Sequence, residues 1–174
     1  MAVMLRRLIW MFGLLIGIAW MGEILSGNLG DTSLLGNLRT FHLHTYRTIG
    51  WSFITGAVVL TALAGFFAAY RLGEVSKAVF ASVCSGLISG GIVLVGGMTM
   101  EVIFHNALQR SPSVLSEFAT SGQTDLSLFM YEDALIAGVA HVLIGPALGM
   151  TIGAVGAALG MLVRTLRATT FSTS

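Results

Sequence analysis

An all-α integral membrane protein, built as a four-transmembrane-helix bundle, is what the composition and apolar patterning of this chain predict. Three observations carry the expectation. Only 10% of the 174 residues are charged and 55% are hydrophobic, whereas a water-soluble domain carries roughly 25% charged residues. The mean hydropathy is +0.87. Four apolar runs, 8–25, 49–70, 78–100 and 134–163, match or approach the roughly 20 residues a helix needs to cross a hydrocarbon layer. A single membrane domain, 1–174, accommodates them all.

The first run, "MLRRLIWMFGLLIGIAW", has the basic start of a signal peptide, yet no small-x-small cleavage pattern follows it, so an uncleaved first span is expected. The paired arginines lack the wider motif of twin-arginine export. Between the second and third runs, "RLGEVSK" at 71–77 is short enough to make them antiparallel neighbours. The fourth run amounts to roughly 45 Å of helix, more than the bilayer core, so it must tilt, kink or protrude. Pro146 offers the kink point, because it cannot donate to the Val142 carbonyl.

Two longer connections also carry helix signals. In "DTSLLGNLRTFHLHTYRTIGW", Asp31 to Ser33 can cap a helix bearing Leu34, Leu35, Leu38, Phe41 and Leu43. In "SPSVLSEFATSG", Ser111 as N-cap, Pro112 at the first helical position and Gly122 beyond the last turn punctuate a short helix. Both are expected to lie along the outer membrane surface.

Charge sets the expected orientation. Arg6, Arg7, Arg71, Lys77, Arg164 and Arg167 fall at one set of span ends, and Arg39, Arg47 and Arg110 at the other. The positive-inside rule then puts both termini in the cytoplasm. Of the acids, only Glu74 falls inside, while Glu23, Asp31, Glu101, Glu117, Asp125, Glu132 and Asp133 fall outside. A net charge of +1 without a dense basic block argues against a nucleic-acid partner. The lone Cys84 can form no internal disulfide and reads as a small packing residue.

Glycine supplies the packing signal. Gly138, Gly145, Gly149, Gly153, Gly156 and Gly160 keep to one face of the fourth span, and Gly86, Gly90 and Gly97, with Ser82, to one face of the third; Gly13 and Gly17 mark the first. Small residues let helix backbones approach where lipid offers no hydrophobic drive between helices. Such faces serve contacts within the chain or docking of another subunit.

The polar candidates are Glu23, Arg47, Glu101, His105, Asp133 and His141. Glu101 stands about 35 Å along its helix from Lys77, and His141 about the same distance from Arg164, so the two share a level. Glu101 falls about 60° from Gly86 and His141 about 40° from Gly145, which turns both toward the bundle. Glu23, about 24 Å along its helix from Arg7, is expected deeper, inside the outer leaflet, with Arg47 as its ion-pair partner. Glu132 and Asp133 mark the mouth of the fourth span.

Three readings of this cluster follow: structural groups ending helices at the interface, an outward-facing proton or cation site, and a metal or pigment site. For the last, Glu101, His105 and His141 are weak metal candidates, because the Glu–His spacing is i, i+4 rather than the i, i+3 of di-metal carboxylate helices. His42 and His44 diverge by about 200° on a helix and converge only in an extended loop. A lone histidine such as His141 also suits an axial haem or chlorophyll ligand, but no attachment motif accompanies it. No motif specifies a cofactor, and no nucleophile constellation or phosphate loop occurs, so an enzyme is not expected. Lipid, and either a second copy or other membrane subunits, are the expected partners. The expected function is that of a helix-packing or accessory subunit of a membrane complex or homo-oligomer. The alternatives are a small oligomeric transporter or channel with an outward-facing proton or cation site, and a metal- or pigment-binding membrane subunit.

Overall fold

The computed structural model describes the backbone over residues 2–31 and 39–172, with side chains over 2–26 and 49–170. Within those residues the chain is helical and has no strand. Its elements are α1 (Ala2–Asp31), α2 (Arg39–Leu72), α3 (Val75–Leu108), α4 (Pro112–Ser121) and α5 (Leu126–Ser172). Four of them, all but α4, are long and apolar enough to cross a membrane.

The helices outrun the apolar segments that announce them. α3 continues to Leu108 and so takes in Glu101 and His105, and α5 starts at Leu126, before Glu132 and Asp133. Hydropathy measures the length that matches hydrocarbon, while backbone hydrogen bonding carries a helix on into polar sequence. Asp31 belongs to the last turn of α1 rather than capping a new helix, and Phe41 to His44 lie in the first turns of α2. The rest of the helix expected after Asp31 falls in 32–38, outside the described residues. α5 runs unbroken through Pro146 for 47 residues.

Local chemistry sets the turns. Gly73 closes α2 at φ 74°, its N–H donating to the Ala69 carbonyl at 2.8 Å, the left-handed ending that glycine adopts without steric cost. Glu74 then starts α3 and pairs with Lys77 at 2.6 Å. α4 has the expected punctuation, with Pro112 in the first turn and Gly122 at φ 75°. Ser111 caps through backbone conformation alone, its hydroxyl lying 3.0 Å from that of Ser113.

Around the bundle the order is α1, α2, α5, α3, with α2 and α3 meeting less extensively than any pair of ring neighbours. Sequence adjacency through the 71–77 turn therefore does not make these two helices the principal partners. The reason lies in α5, whose glycines draw it against both. Gly145 and Gly86 face each other backbone to backbone, and Gly149 meets the Ser82 carbonyl. A Cβ on Gly90 would come within 2.6 Å of the His141 carbonyl oxygen. Further along, Gly156 meets the Ala62 carbonyl, Gly160 that of Phe66, and Gly65 of α2 that of Gly153. The stripe on α5 is thus shared between two helices of the same chain and leaves no free length for another subunit. Gly13 and Gly17 of α1 sit against Ile88 and Ile92 of α3. Gly97 alone of the expected packing glycines has nothing within 4 Å of an added Cβ.

Small side chains fill the remaining interior. Ala68, Ala69, Ala78, Ala81 and Ala157 form one buried cluster with Leu72, and Phe12, Ile16, Ala19, Ala57 and Ala64 form a second. Ser82, Ser85 and Ser89 are buried and bond to carbonyls of their own helix, Ser85 also reaching Ile9 of α1 at 3.1 Å. That bond ties two helices while satisfying a hydroxyl that has no access to water. Many large apolar side chains lie outside: Trp10, Ile18, Phe80, Leu87, Leu143 and Val155 are all exposed.

These contacts separate two kinds of glycine. Gly145→Ala forces a methyl into the Gly86 backbone and should destabilise the fold by about 1–3 kcal/mol, as overpacking does. Gly91, which has nothing within 4 Å, should tolerate Ala or gain up to about 1 kcal/mol of helix propensity. Thermal unfolding of the two variants in detergent should move in opposite directions from the wild type, or at least leave Gly91→Ala unchanged.

Candidate functional site

At the end of the bundle away from the 71–77 turn, α1, α3, α4 and α5 separate around a cavity of about 350 Å³. The gap opens where the glycine contact stops. Gly97 presents no side chain there, and one turn before it on α3 the Leu94 side chain wedges against Gly138 of α5, 2.5 Å from where a Cβ would stand. Val93, Met100, Leu108, Phe129 and Met130 supply apolar wall.

Four carboxylates line this space: Glu23 of α1, Glu101 of α3, Glu117 of α4 and Asp133 of α5, with His141 of α5 beside them. Among the described side chains no Lys or Arg takes part in the lining. Uncompensated acids in a low-dielectric cleft focus a negative potential that attracts cations and repels anions. Four of the polar candidates, Glu23, Glu101, Asp133 and His141, therefore meet in one cavity. His105 stands behind Glu101 and does not line it, and the Arg47 side chain lies outside the described residues, as do those of His42 and His44.

Glu101 is the most deeply placed acid, 7% exposed. One of its oxygens lies 3.3 Å from His105 Nδ1. The far side of that imidazole is also occupied: Gln109 Nε2 is 3.0 Å from His105 Nε2 and donates to Ser127 Oγ at 3.0 Å. A neutral ring with its proton on Nδ1 meets these partners, donating to the carboxylate and accepting from the amide. The Tyr131 ring stacks on His105 with centroids 5.4 Å apart. Glu101 is thereby held from behind, its carboxylate at the cavity wall.

His141 is anchored differently. Its Nδ1 donates to the Ala137 carbonyl at 2.8 Å, which leaves Nε2 as the acceptor, and Trp20 of α1 meets the ring edge-on at 5.2 Å. No hydrogen bond joins His141 to Glu101, although both border the same space. The metal candidates Glu101, His105 and His141 do not converge either, and among the described residues no three His, Cys, Asp or Glu side chains stand close enough to hold a metal ion. His105 has both nitrogens engaged, and His141 spends one on its own helix.

Sequence reasoning passed over Glu117 as a site residue. Its only signal is Val114 three positions earlier, which shares its helical face and also lines the cavity. Gln109 stands four positions after His105, a helical spacing present in the sequence, whereas Ser127 and Tyr131 left no sequence signal, because they reach His105 only through the packing of α5 against α3.

Removing the imidazole leaves a buried carboxylate with no described partner. His105→Ala should therefore cost about 1–3 kcal/mol, read as a lower unfolding temperature in detergent. Adding Glu101→Leu to that variant should restore most of the loss, because the orphaned charge is gone.

No family model matches the chain, and neither a curated protein nor a solved structure does so.

Proposed function

We propose that this chain is a polytopic membrane protein whose acid-lined cavity takes up a cationic solute from one side of the bilayer. Support for the embedding comes from four helices long and apolar enough to span, large apolar side chains turned outward, and serines and glycines turned inward, the distribution that lipid favours. For the orientation, the basic residues Arg7, Arg71, Lys77, Arg164 and Arg167 belong to the end bearing the 71–77 turn, and the positive-inside rule makes that end cytoplasmic. The cavity then opens outward.

The observation that carries the reading is the convergence of Glu23, Glu101, Glu117 and Asp133 on one space, with no basic residue in its wall among the described side chains. Its volume suits a small solute better than a bare ion, and apolar walls interrupted by a few polar groups are the usual make-up of a small-molecule site. Reconstituted in liposomes, the protein should give saturable uptake of methylammonium. Glu101→Gln and Gly97→Leu, the second of which fills open space, should each reduce uptake at least tenfold. Glu132→Gln, outside the cavity and bonded to Gln123, should leave it intact. A wild-type protein that shows no saturable uptake or binding of sodium, methylammonium or guanidinium ends the proposal.

A second reading, a subunit of a larger assembly, draws on a different surface from the glycine stripe. On the outer face of α2, Trp51, Ser52, Thr55, Gly56 and Val59 outline a shallow recess, and Gly56 has nothing within 4 Å of an added Cβ. Small residues four apart allow close approach of another helix. With Cys84 replaced by Ala, Gly56→Cys should form disulfide-linked dimers in native membranes if a second copy docks there. Failure to cross-link, together with a monomeric mass in detergent, argues against it.

A further inference from the structure

The basic end holds an imbalance that the cation reading does not use. Among its charged residues, Lys77 takes the one acid, Glu74. Arg164 donates to the Tyr70 carbonyl at 3.1 Å, and Arg167 donates to the Tyr70 hydroxyl at 2.7 Å while lying 5.8 Å from the centre of that ring. Arg7 and Arg71 have no carboxylate within ion-pairing distance among the described residues. Both are exposed, and both border one recess of about 330 Å³ between α1 and α2.

The remainder of that recess is apolar. Met4, Leu8, Met11, Phe12 and Phe67 line it. Phe12 is 4% exposed and forms the floor, its ring 6.2 Å from that of Phe67, while Met11 and Phe67 stay 48% and 40% exposed along the sides. Two guanidiniums at the head of an apolar slot are complementary to one kind of molecule, an anion joined to a hydrocarbon chain. Guanidinium pairs well with phosphate oxygens, and basic pockets between helices on the cytoplasmic side suit acidic headgroups.

We propose that Arg7 and Arg71 hold the phosphate of an anionic phospholipid, with one acyl chain seated against Met11, Phe12 and Phe67. This site rests on the membrane reading but not on cation uptake, and it lies at the opposite end of the bundle from the acidic cavity. A bound lipid bridges α1 and α2 through contacts that neither helix makes with the other.

Native mass spectrometry of the detergent-purified chain with phosphatidylglycerol or phosphatidylcholine tests it. The wild type should retain phosphatidylglycerol at least tenfold more than phosphatidylcholine, on the scale of about 1 kcal/mol per basic residue near an acidic headgroup. The double variant Arg7→Gln, Arg71→Gln should lose that preference. Met11→Trp keeps both arginines but crowds the slot, and should weaken retention of both lipids. Equal retention of the two lipids by the wild type overturns the site, as does unchanged preference in the double variant. Displacement of the lipid by equimolar inorganic phosphate, or unchanged retention in Met11→Trp, shows a free-anion site in place of a lipid site and also overturns it. None of these readings depends on whether methylammonium enters the cavity.

Discussion

Backbone contact between α5 and its two partners is the constraint on which the rest of this structure depends. Where Gly145 meets Gly86, and where Gly156 and Gly160 meet carbonyls of α2, no side chain stands between the helices. In a nonpolar surrounding, burying one more leucine gains little over leaving it in lipid, so helices associate through close packing and short polar contacts. Glycine and alanine provide the first, and Ser85 provides the second. Because one helix engages both α2 and α3, the position of α5 sets the spacing of the whole ring, and α1 completes it through Gly13, Gly17 and the bond from Ser85 to Ile9.

The cavity is the other side of that constraint. Glycine contact extends along α3 as far as Gly90 and lapses at Gly97, and the intervening Leu94 bears on Gly138. Beyond that wedge the helices part, and polar sequence occupies the gap. Charge follows the same division, with acids in the open end and, at the closed end, Arg7 and Arg71 without a carboxylate partner among the described residues. In the proposed orientation a membrane potential negative inside draws a cation inward, at about 2.3 kcal/mol per charge per 100 mV. The same arrangement places an acidic headgroup where two guanidiniums can hold it.

Sequence made the local and periodic features legible. Ser111, Pro112 and Gly122 punctuate α4 because capping depends on a few consecutive residues, and the glycines fall on one face because helical periodicity does not change with context. The level and facing of Glu101 and His141 followed from rise and rotation per residue, which places them around one space. What sequence lacked was distance between helices. It paired Glu101 with His141 across the bundle as a possibility, whereas the carboxylate meets His105 on its own helix; one turn of α3 is a shorter span than the opening. Glu117 escaped notice because its role depends on where α4 comes to rest. The helices run on past the expected spans at Glu101 and Asp133, because hydropathy reports the solvent a segment matches and not where its hydrogen bonding stops. The stripe on α5 identified a close neighbour without saying which, and Gly65 on α2, which answers part of that question, was not read as a packing glycine although Thr61 and Ala69 stand four positions to either side.

Gly97 has a consequence of a different order. It sits in the chamber wall without being part of the joint that holds the helices together, so its size is uncoupled from the stability of the fold. Most residues bordering a site in a tightly packed bundle cannot change without disturbing a neighbour. At this position, single substitutions to Ala, Ser, Val or Leu form a graded series of chamber widths on an otherwise constant frame. Under the proposed function, a lineage carrying this architecture has a direct path to new solute preferences, through one residue and without first acquiring stabilising changes elsewhere.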